Sequence, residues 1–469
     1  MMSRPGVFPI IVLCVVSATA ATGAQTRETG PPQLVTLDEA IQYATEHYPT
    51  VKAALEEVNA SAAGVDVARA AYLPRLDSLW QSNRATANNV FGQVLPQGVV
   101  PAMSGPVLPS ASGQSVWGSA TGALFSWEPV DFGLRRAAVA GAQAALTQAR
   151  SGETLTRLDV QRAVAGAFLN VLAAERVVIA AEADRDRRNV LLQAVQTLVT
   201  NQLRPGADAS RADAERAAAQ TRLLQAQQGL TIARNTFTRA LGLSATGVAI
   251  AGDPLLARLP PTDISPATAA AHPLAQARQA TVDQARAFED VLARTDLPRV
   301  FVQSSVFARG SGANPNGVLD GRADGLGLDR ANWAAGIQVL FPNVFDFSSL
   351  RARRAAAAAA ERADSSLYDE ALLTIANEQQ TAAAVLQTTR AVAANTPIQF
   401  AAAQQSATQA RARYDAGLAS IVEVADAQSL LAQAEIQDQL ARVDVWRALL
   451  AAAVAQGDVA PFLAVLRQP

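Results

Sequence analysis

The chain has 469 residues, a formal net charge of −2 and a hydrophobic content of 50%, of which aromatic residues are only 5%. The near-neutral balance offers none of the basic excess that nucleic-acid binding uses, so no nucleic acid is expected as a partner. Alanine supplies much of the apolar content, alongside Gln, Arg, Glu and Leu, which is the composition of long helices or coiled coils.

Residues 1–24 read as a secretory signal. Arg4 supplies the positive start, Val7 to Ala18 the apolar stretch, and Ala20 to Ala24 the small residues around a cleavage site. Cys14 is the only cysteine, and Leu13 stands before it where a lipoprotein signal carries a small residue, so no lipid anchor is expected. A chain without Cys14 can form neither a disulfide nor a thiolate metal site. No later stretch has about 18 consecutive apolar residues, the length a membrane helix needs. Two classes stay open at this point: a soluble periplasmic protein and an outer-membrane β-barrel.

Landmarks then recur in order. Pro49 returns as Pro273, and Leu73-Pro74-Arg75 returns as Leu297-Pro298-Arg299, each 224 residues later (273 − 49 and 297 − 73). Each proline opens a helix, where its missing N–H costs nothing. Asp131-Phe132 with Leu134-Arg135 returns as Asp346-Phe347 with Leu350-Arg351. Gly206, followed by an acidic turn and an Ala-rich helix, returns around Gly417. The chain therefore divides into residues 25–250 and 251–469, each read as helix, strand, loop, strand, long helix, turn, helix.

The first long helix is expected over Leu134–Val199, roughly 100 Å at about 1.5 Å per residue. Leu223, Leu230 and Phe237 fall seven apart, a coiled-coil-like seam. Pro397 is expected to kink or break the corresponding helix of the second half.

Four strands are expected, at about 73–83, 115–130, 299–309 and 332–345. In the second, Trp117, Ser119, Thr121, Ala123, Phe125 and Trp127 share one face, and Gly118, Ala120, Gly122, Leu124 and Ser126 the other. Its tryptophans are ten residues apart, ~33 Å of strand, the span of a membrane strand with aromatics at its ends. In the fourth, Trp333, Ile337, Val339 and Phe341 share a face. Residues 90–113 and 311–330, rich in Gly, Pro, Asn and Asp, read as irregular loops. Four strands cannot close a barrel, and an open edge in lipid leaves backbone groups unpaired. Membrane strands would require several chains; two would give eight strands and three would give twelve.

No enzyme is expected. Lys52 is the only lysine, so there is no phosphate loop with a GKS or GKT ending. His47 and His272 are the only histidines, each beside a helix-opening proline, and no cofactor or metal site is expected. A soluble periplasmic coiled-coil adaptor is the alternative reading. It explains export and the Ala-rich helices but not two symmetric strand pairs with terminal tryptophans.

The paired prolines, the Leu-Pro junctions, the segments WEPVDFGLRRA and FPNVFDFSSLRAR, and the turns RPGADASRADAERA and YDAGLASIVEVADAQ together resemble the TolC family of outer-membrane efflux proteins. The resemblance runs from Leu37 to about Gly457. It implies a mainly α fold with a small membrane β-barrel: a homotrimer whose twelve strands form one barrel above a long α-helical barrel. It also implies a passive duct in the outer membrane, served by an inner-membrane pump and a periplasmic adaptor. The adaptor-contacting turns would be Leu203–Ser210 and Tyr414–Ile421, with Gly206, Tyr414, Gly417 and Leu418 as contact residues. The first turn lacks a leucine after its glycine. Glu423 and Asp426, with Asp208 and Asp213 nearby, would form an acidic tunnel constriction; solvated charge at helix ends is the other reading of these four. Where the family has an arginine that helps hold this end shut, this sequence has Ala419. Trp117, Trp127, Trp333 and Phe341 would sit at the lipid interfaces.

Overall fold

The computed structural model describes residues 34–86, 114–244, 248–256, 259–260, 267–312, 323–342 and 346–466. The signal segment with Cys14, the 90–113 loop and residues 313–322 of the 311–330 loop lie outside them.

The chain opens with β1 (Leu34–Val35), α1 (Leu37–His47) and α2 (Pro49–Ala70). Thr36 and Glu39 form a reciprocal capping box at the start of α1. Strands β2 (Arg75–Thr86) and β3 (Ser115–Val130) follow, then α3 (Leu134–Thr200) and α4 (Gly206–Ala240). After the short β4 (Ala249–Ile250) and α5 (Asp253–Leu256), the same order returns. It runs α6 (Pro273–Arg294), β5 (Arg299–Ser311), β6 (Arg330–Leu340), α7 (Phe347–Asp415) and α8 (Ile421–Ala455), and α9 (Ala460–Leu466) ends the chain. Pro49 and Pro273 each occupy the first turn of their helices. His272 caps α6: its Nδ1 accepts from Leu274 N at 3.1 Å, and its Nε2 lies 3.1 Å from the Val454 carbonyl.

The helices pair lengthwise, α3 with α4 and α7 with α8, while α2 packs on α3 and α6 bridges α3 and α7. The main core lies midway along them. Phe168 and Phe237 meet edge to face at 5.7 Å, as do Trp446 and Phe462 at 6.2 Å, and β1 pairs with β4 beside them. Burying each such ring contributes about 1.5–3 kcal/mol. One 18-residue stretch of α3 is apolar enough to cross a bilayer by composition, and half of it is buried inside the chain.

The seam residues Leu223 and Phe237 are fully buried and Leu230 half-buried. Of the kink or break expected at Pro397, the break does not occur: α7 continues through it to Asp415. A proline inside a helix costs about 3 kcal/mol. Packing of α7 along α8 offsets this, and Thr396 beside the proline donates to the buried Asp438 of α8 at 2.9 Å.

The four longer strands form one antiparallel sheet in the order β2-β3-β5-β6. The strands β3 and β5 join the two halves of the chain directly. Their register slips between Trp127 and Val130, where Pro129 cannot donate to the ladder. Strands β2 and β6 are the edges, each paired on one side only. Gly122 is required at its place, since a Cβ there would lie 2.4 Å from that of Phe307.

Candidate functional site

The register sorts the sheet into two faces. Leu76, Ser78 and Trp80 stand opposite Phe125, Ala123 and Thr121. Phe125, Ala123 and Trp127 stand opposite Ser304, Val306 and Val302. Val306, Val302 and Val300 stand opposite Trp333, Ile337 and Val339. One face therefore carries Leu76, Trp80, Trp127, Val306, Trp333, Ile337 and Val339, all exposed. Four of the chain's five tryptophans lie on it; Trp446 is in the core. The other face carries mostly small or polar residues, among them Asp77, Gln81, Gly118, Ala120, Gly122, Gln303, Asn332 and Gly336, together with Leu79, Leu124, Phe301, Phe307 and Leu340. Trp117 is half-buried, because the turn at 323–326 folds over that end of the apolar face and Ser119 Oγ donates to Gly325 O at 2.9 Å. Phe341 is 61% exposed just past the end of β6.

At the far end of the long helices, the two helical turns close by the same device. In the second, Leu418 N donates to Arg413 O at 2.8 Å and Gly417 N to Tyr414 O at 3.0 Å, with Gly417 at φ +76°. This is a Schellman closure, which needs a left-handed residue. In the first, Leu203 N donates to Leu198 O at 2.8 Å and Gln202 N to Val199 O at 2.9 Å, with Gln202 at φ +58°. The structural counterpart of Gly417 is thus Gln202, not Gly206. Gly206 is instead the first residue of α4. Leu203 is the counterpart of Leu418, and the two are 68% and 71% exposed. The leucine that the first turn lacks beside Gly206 is therefore present, four residues nearer the start than the glycine pairing puts it. A constant offset of 215, which Asp131 and Asp346 already share, carries Leu203 onto Leu418 (203 + 215 = 418). That offset was the signal by which sequence could have found it.

The two turns are tied together by side chains. Tyr414 is almost fully buried, and its hydroxyl donates to Asp208 Oδ2 at 3.1 Å. The Arg204 guanidinium lies 4.4 Å from the Tyr414 ring centroid and donates to the Tyr414 carbonyl. Burial and the bond to the Asp208 carboxylate push the Tyr414 hydroxyl up to about 12. Arg204 belongs to this site, and the sequence motifs did not single it out.

The four acidic residues are not alike. Asp208 receives the tyrosine. Asp213 pairs with Arg216 at 3.1 Å on its own helix. Glu423 pairs with Arg413 at 3.2 Å, and Ser420 caps α8 beneath it by accepting from Glu423 N. Asp426 is exposed with no hydrogen bond or ion pair among the described residues. Arg413, Glu423 and Asp426 line one groove of about 650 Å³ between the end of α7 and the start of α8.

Further up the helices lies a buried ionic cluster that the sequence motifs did not reveal. Arg188 is 1% exposed. It donates to Asp184 on α3 at 2.9 Å, Glu215 on α4 at 2.8 Å and Ser429 on α8 at 3.1 Å. Arg222 reaches the other oxygen of Asp184 at 3.2 Å, and Arg187 joins Glu435 on α8 at 2.8 Å. Its residues lie on three helices and become neighbours only when these pack.

Solved outer-membrane proteins share this fold at low identity. VceC of Vibrio cholerae matches with a TM-score of 0.70 at 17% identity, over 90% of this chain and 96% of that one. The CmeC channel of Campylobacter jejuni matches at 0.73 and 15%, over 90% and 85%. The open-state MtrE channel of Neisseria gonorrhoeae matches at 0.69 and 18%, over 90% and 89%. No curated protein sequence matches the chain significantly. The family described as Outer membrane efflux protein matches residues 40–243 and 264–457, most of both halves. This chain belongs to the outer membrane efflux protein family.

Proposed function

We propose that this outer-membrane efflux channel works as a passive homotrimeric duct, the outer part of a tripartite efflux pump or type I secretion system. It would release small molecules or polypeptides delivered by an inner-membrane pump through a periplasmic adaptor. The observation that carries this reading is the sheet. It has one exposed apolar, tryptophan-bearing face, one mostly small and polar face, and two edges unpaired among the described residues. Such a sheet is stable in lipid only when other copies close it into a barrel with water inside. Three copies give twelve strands, the number the family resemblance implies. The two runs of elements, meeting at about residue 250, are read as structural repeats.

Trp117, Trp127, Trp333 and Phe341 are assigned to the lipid interfaces. The turns with Tyr414, Gly417 and Leu418, and with Leu203 and Gly206, are assigned to the adaptor. Glu423 and Asp426, repeated threefold, are assigned to an acidic constriction that favours cations; Asp213 stands near it. Asp208 is assigned to holding the two turns together, since Tyr414 occupies its carboxylate.

Mass in detergent, measured on protein extracted from outer membranes, and conductance in planar bilayers test this reading. A trimer with small cation-selective currents, widened by Glu423→Ala with Asp426→Ala, is the expected outcome. A monomer soluble without detergent and silent in bilayers would overturn it in favour of a periplasmic coiled-coil protein.

A further inference from the structure

Arginines crowd the junction where the sheet passes into the long helices, and most of them are engaged. Arg135 pairs with Asp131, Arg294 with Asp290, Arg299 with Glu128 and Arg354 with Asp296. Arg136, Arg351 and Arg353 are exposed and have no hydrogen bond or ion pair among the described residues. No acid stands in the first turn of α3 or α7 beside them. Arg136 and Arg351 are also separated by 215 (351 − 136), the offset shared by Asp131 and Asp346.

Helix geometry shows where these three point. Helices α2, α3, α6 and α7 lie side by side in that order, as β2, β3, β5 and β6 do, so each of α3 and α6 has a neighbour on either side and two open faces. On α3, Arg135 reaches the Ala71 carbonyl just past the end of α2, while Gly133 and Gly141 face Arg294 and Val291 of α6. Arg136 lies about 100° further round than Arg135 and leaves the layer on one open face. On α7, Arg354 reaches the Leu292 and Ala293 carbonyls at the end of α6. Arg351 lies about 60° round from it in the same sense, and Arg353 about 100° round in the opposite sense. Arg136 and Arg351 therefore share a face, and Arg353 takes the other.

The shared face is the one that continues the tryptophans. The Trp117 carbonyl accepts from Gly312 N on the β5 side, which fixes the hand of β3. With a right-handed α3 beneath it, the tryptophan face runs on into the Arg136 face, and the mostly polar face into that of Leu134 and Arg353. Apolar surface fills the gap. Val130, Phe132, Tyr72 and Leu73 are 43%, 58%, 44% and 68% exposed, and the Trp127 indole N–H donates to the Tyr72 carbonyl at 3.1 Å. Phe132 is held at φ +49°, a conformation rare for so bulky a residue. Arg136 follows Trp127 by nine residues (136 − 127), roughly 15 Å along the axis at strand and helix rises. A tryptophan at the interface with a long cation beyond it, reaching back to the headgroups, is the arrangement by which such side chains flank a bilayer.

We propose that Arg136 and Arg351 each hold the phosphate of an anionic phospholipid in the periplasmic leaflet of the outer membrane. A guanidinium offers phosphate two parallel N–H groups, and these two find no carboxylate among the described residues of their own chain. The proposal rests on the duct reading for the face that meets lipid, and it adds the lipid class and the residues that recognise it. Three chains would carry six such sites, a ring of cations just below the barrel, with Arg353 facing the water inside.

Bound lipid tests this. Protein extracted from outer membranes in a neutral detergent is titrated with phosphatidylglycerol and, separately, with phosphatidylcholine, and bound lipid is counted by native mass spectrometry. Phosphatidylglycerol is expected to bind at least tenfold more tightly than phosphatidylcholine. Arg136→Gln with Arg351→Gln should weaken it tenfold or more. Arg353→Gln, which removes the same charge from the other face, should leave it unchanged. Should the double variant fail to assemble, each single variant is expected to lose about half of the bound lipid. Undiminished binding in the arginine variants, or an equal loss in Arg353→Gln, overturns the site. Equal binding of the two lipids overturns recognition by charge. Displacement of the lipid by millimolar inorganic phosphate overturns the lipid in favour of a plain anion site. A monomeric mass with arginine-dependent lipid still bound would overturn the trimer and uphold this site.

Discussion

The hydroxyl of Tyr414 donates to the carboxylate of Asp208 at 3.1 Å, and with this bond the last turn of α7 grips the first turn of α4. The residues are 206 apart in sequence, so the bond links the two halves of the chain where they end furthest from the sheet. A hydrogen bond to a charged acceptor contributes about 1.5–3 kcal/mol when its surroundings are dry. Tyr414→Phe keeps the ring over which Arg204 lies and removes only the donor. It is expected to loosen this end, raising single-channel conductance and lowering thermal stability by about 1–2 kcal/mol. Unchanged conductance would show that the bond does not restrain the opening.

The same bond sets an alkaline limit. The tyrosine holds its proton more tightly in the folded chain, with a value of about 12, than in the unfolded one, about 10. Its contribution is complete below about pH 10 and is lost as pH rises toward 12. Thermal stability followed from pH 9 to 12 should fall in wild type more steeply than in Tyr414→Phe.

Gly417 and Gly206 are expected to respond oppositely to alanine. Gly417 sits at φ +76°, where a side chain costs about 1–2 kcal/mol. Gly206 is in the first turn of α4 with open space around it, where alanine gains up to about 1 kcal/mol. Thermal melts of the two variants decide it. Equal destabilisation would show that Gly206 has a role beyond its backbone.

Arg188→Ala is expected to be severe. It leaves the carboxylates of Asp184 and Glu215 in a buried site with one cation fewer, and breaking such a cluster costs about 3–5 kcal/mol. Arg211→Ala, whose 3.2 Å pair with Glu215 is half exposed, should cost under about 1 kcal/mol. Chemical denaturation of both variants checks the contrast.

Asp131 closes the junction between β3 and α3. Burial pushes its carboxyl up, but the Arg135 side chain at 2.8 Å and the backbone N–H groups of Arg135 and Gly133 outweigh burial, and the net direction is down. A lowered carboxylate contributes stability above about pH 4, lost as pH falls through its folded value. Asp131→Asn should therefore melt lower at pH 7, and the gap to wild type should narrow below pH 4. A gap independent of pH would assign the loss to packing rather than charge.

The helix starts, strand faces and internal order were legible because each follows from local rules. Pro49 and Pro273 open helices since proline lacks only an N–H that is unpaired there. The alternation around Trp117 to Trp127 fixes a strand and its two faces, since side chains alternate along a strand whatever it packs on. The Ser115–Val130 bounds of β3 agree with those expected.

The rest depends on which segments meet. Pairing Gly206 with Gly417 followed residue type, yet Gln202 occupies the left-handed position, because closure of the turn can impose φ +58° on a residue that does not prefer it. The continuity of α7 through Pro397 depends on α8 lying alongside it, which a local helix rule does not contain. Arg188 looks like any solvated helix arginine until Asp184, Glu215 and Ser429 surround it and water is excluded. Sequence by itself determined the longer elements, their order and their apolar faces, since these rest on chain stereochemistry and the partition of side chains between water and apolar surroundings. Only the tertiary structure decided which charges are buried together and which turn residues are equivalent, since both depend on contacts between segments hundreds of residues apart.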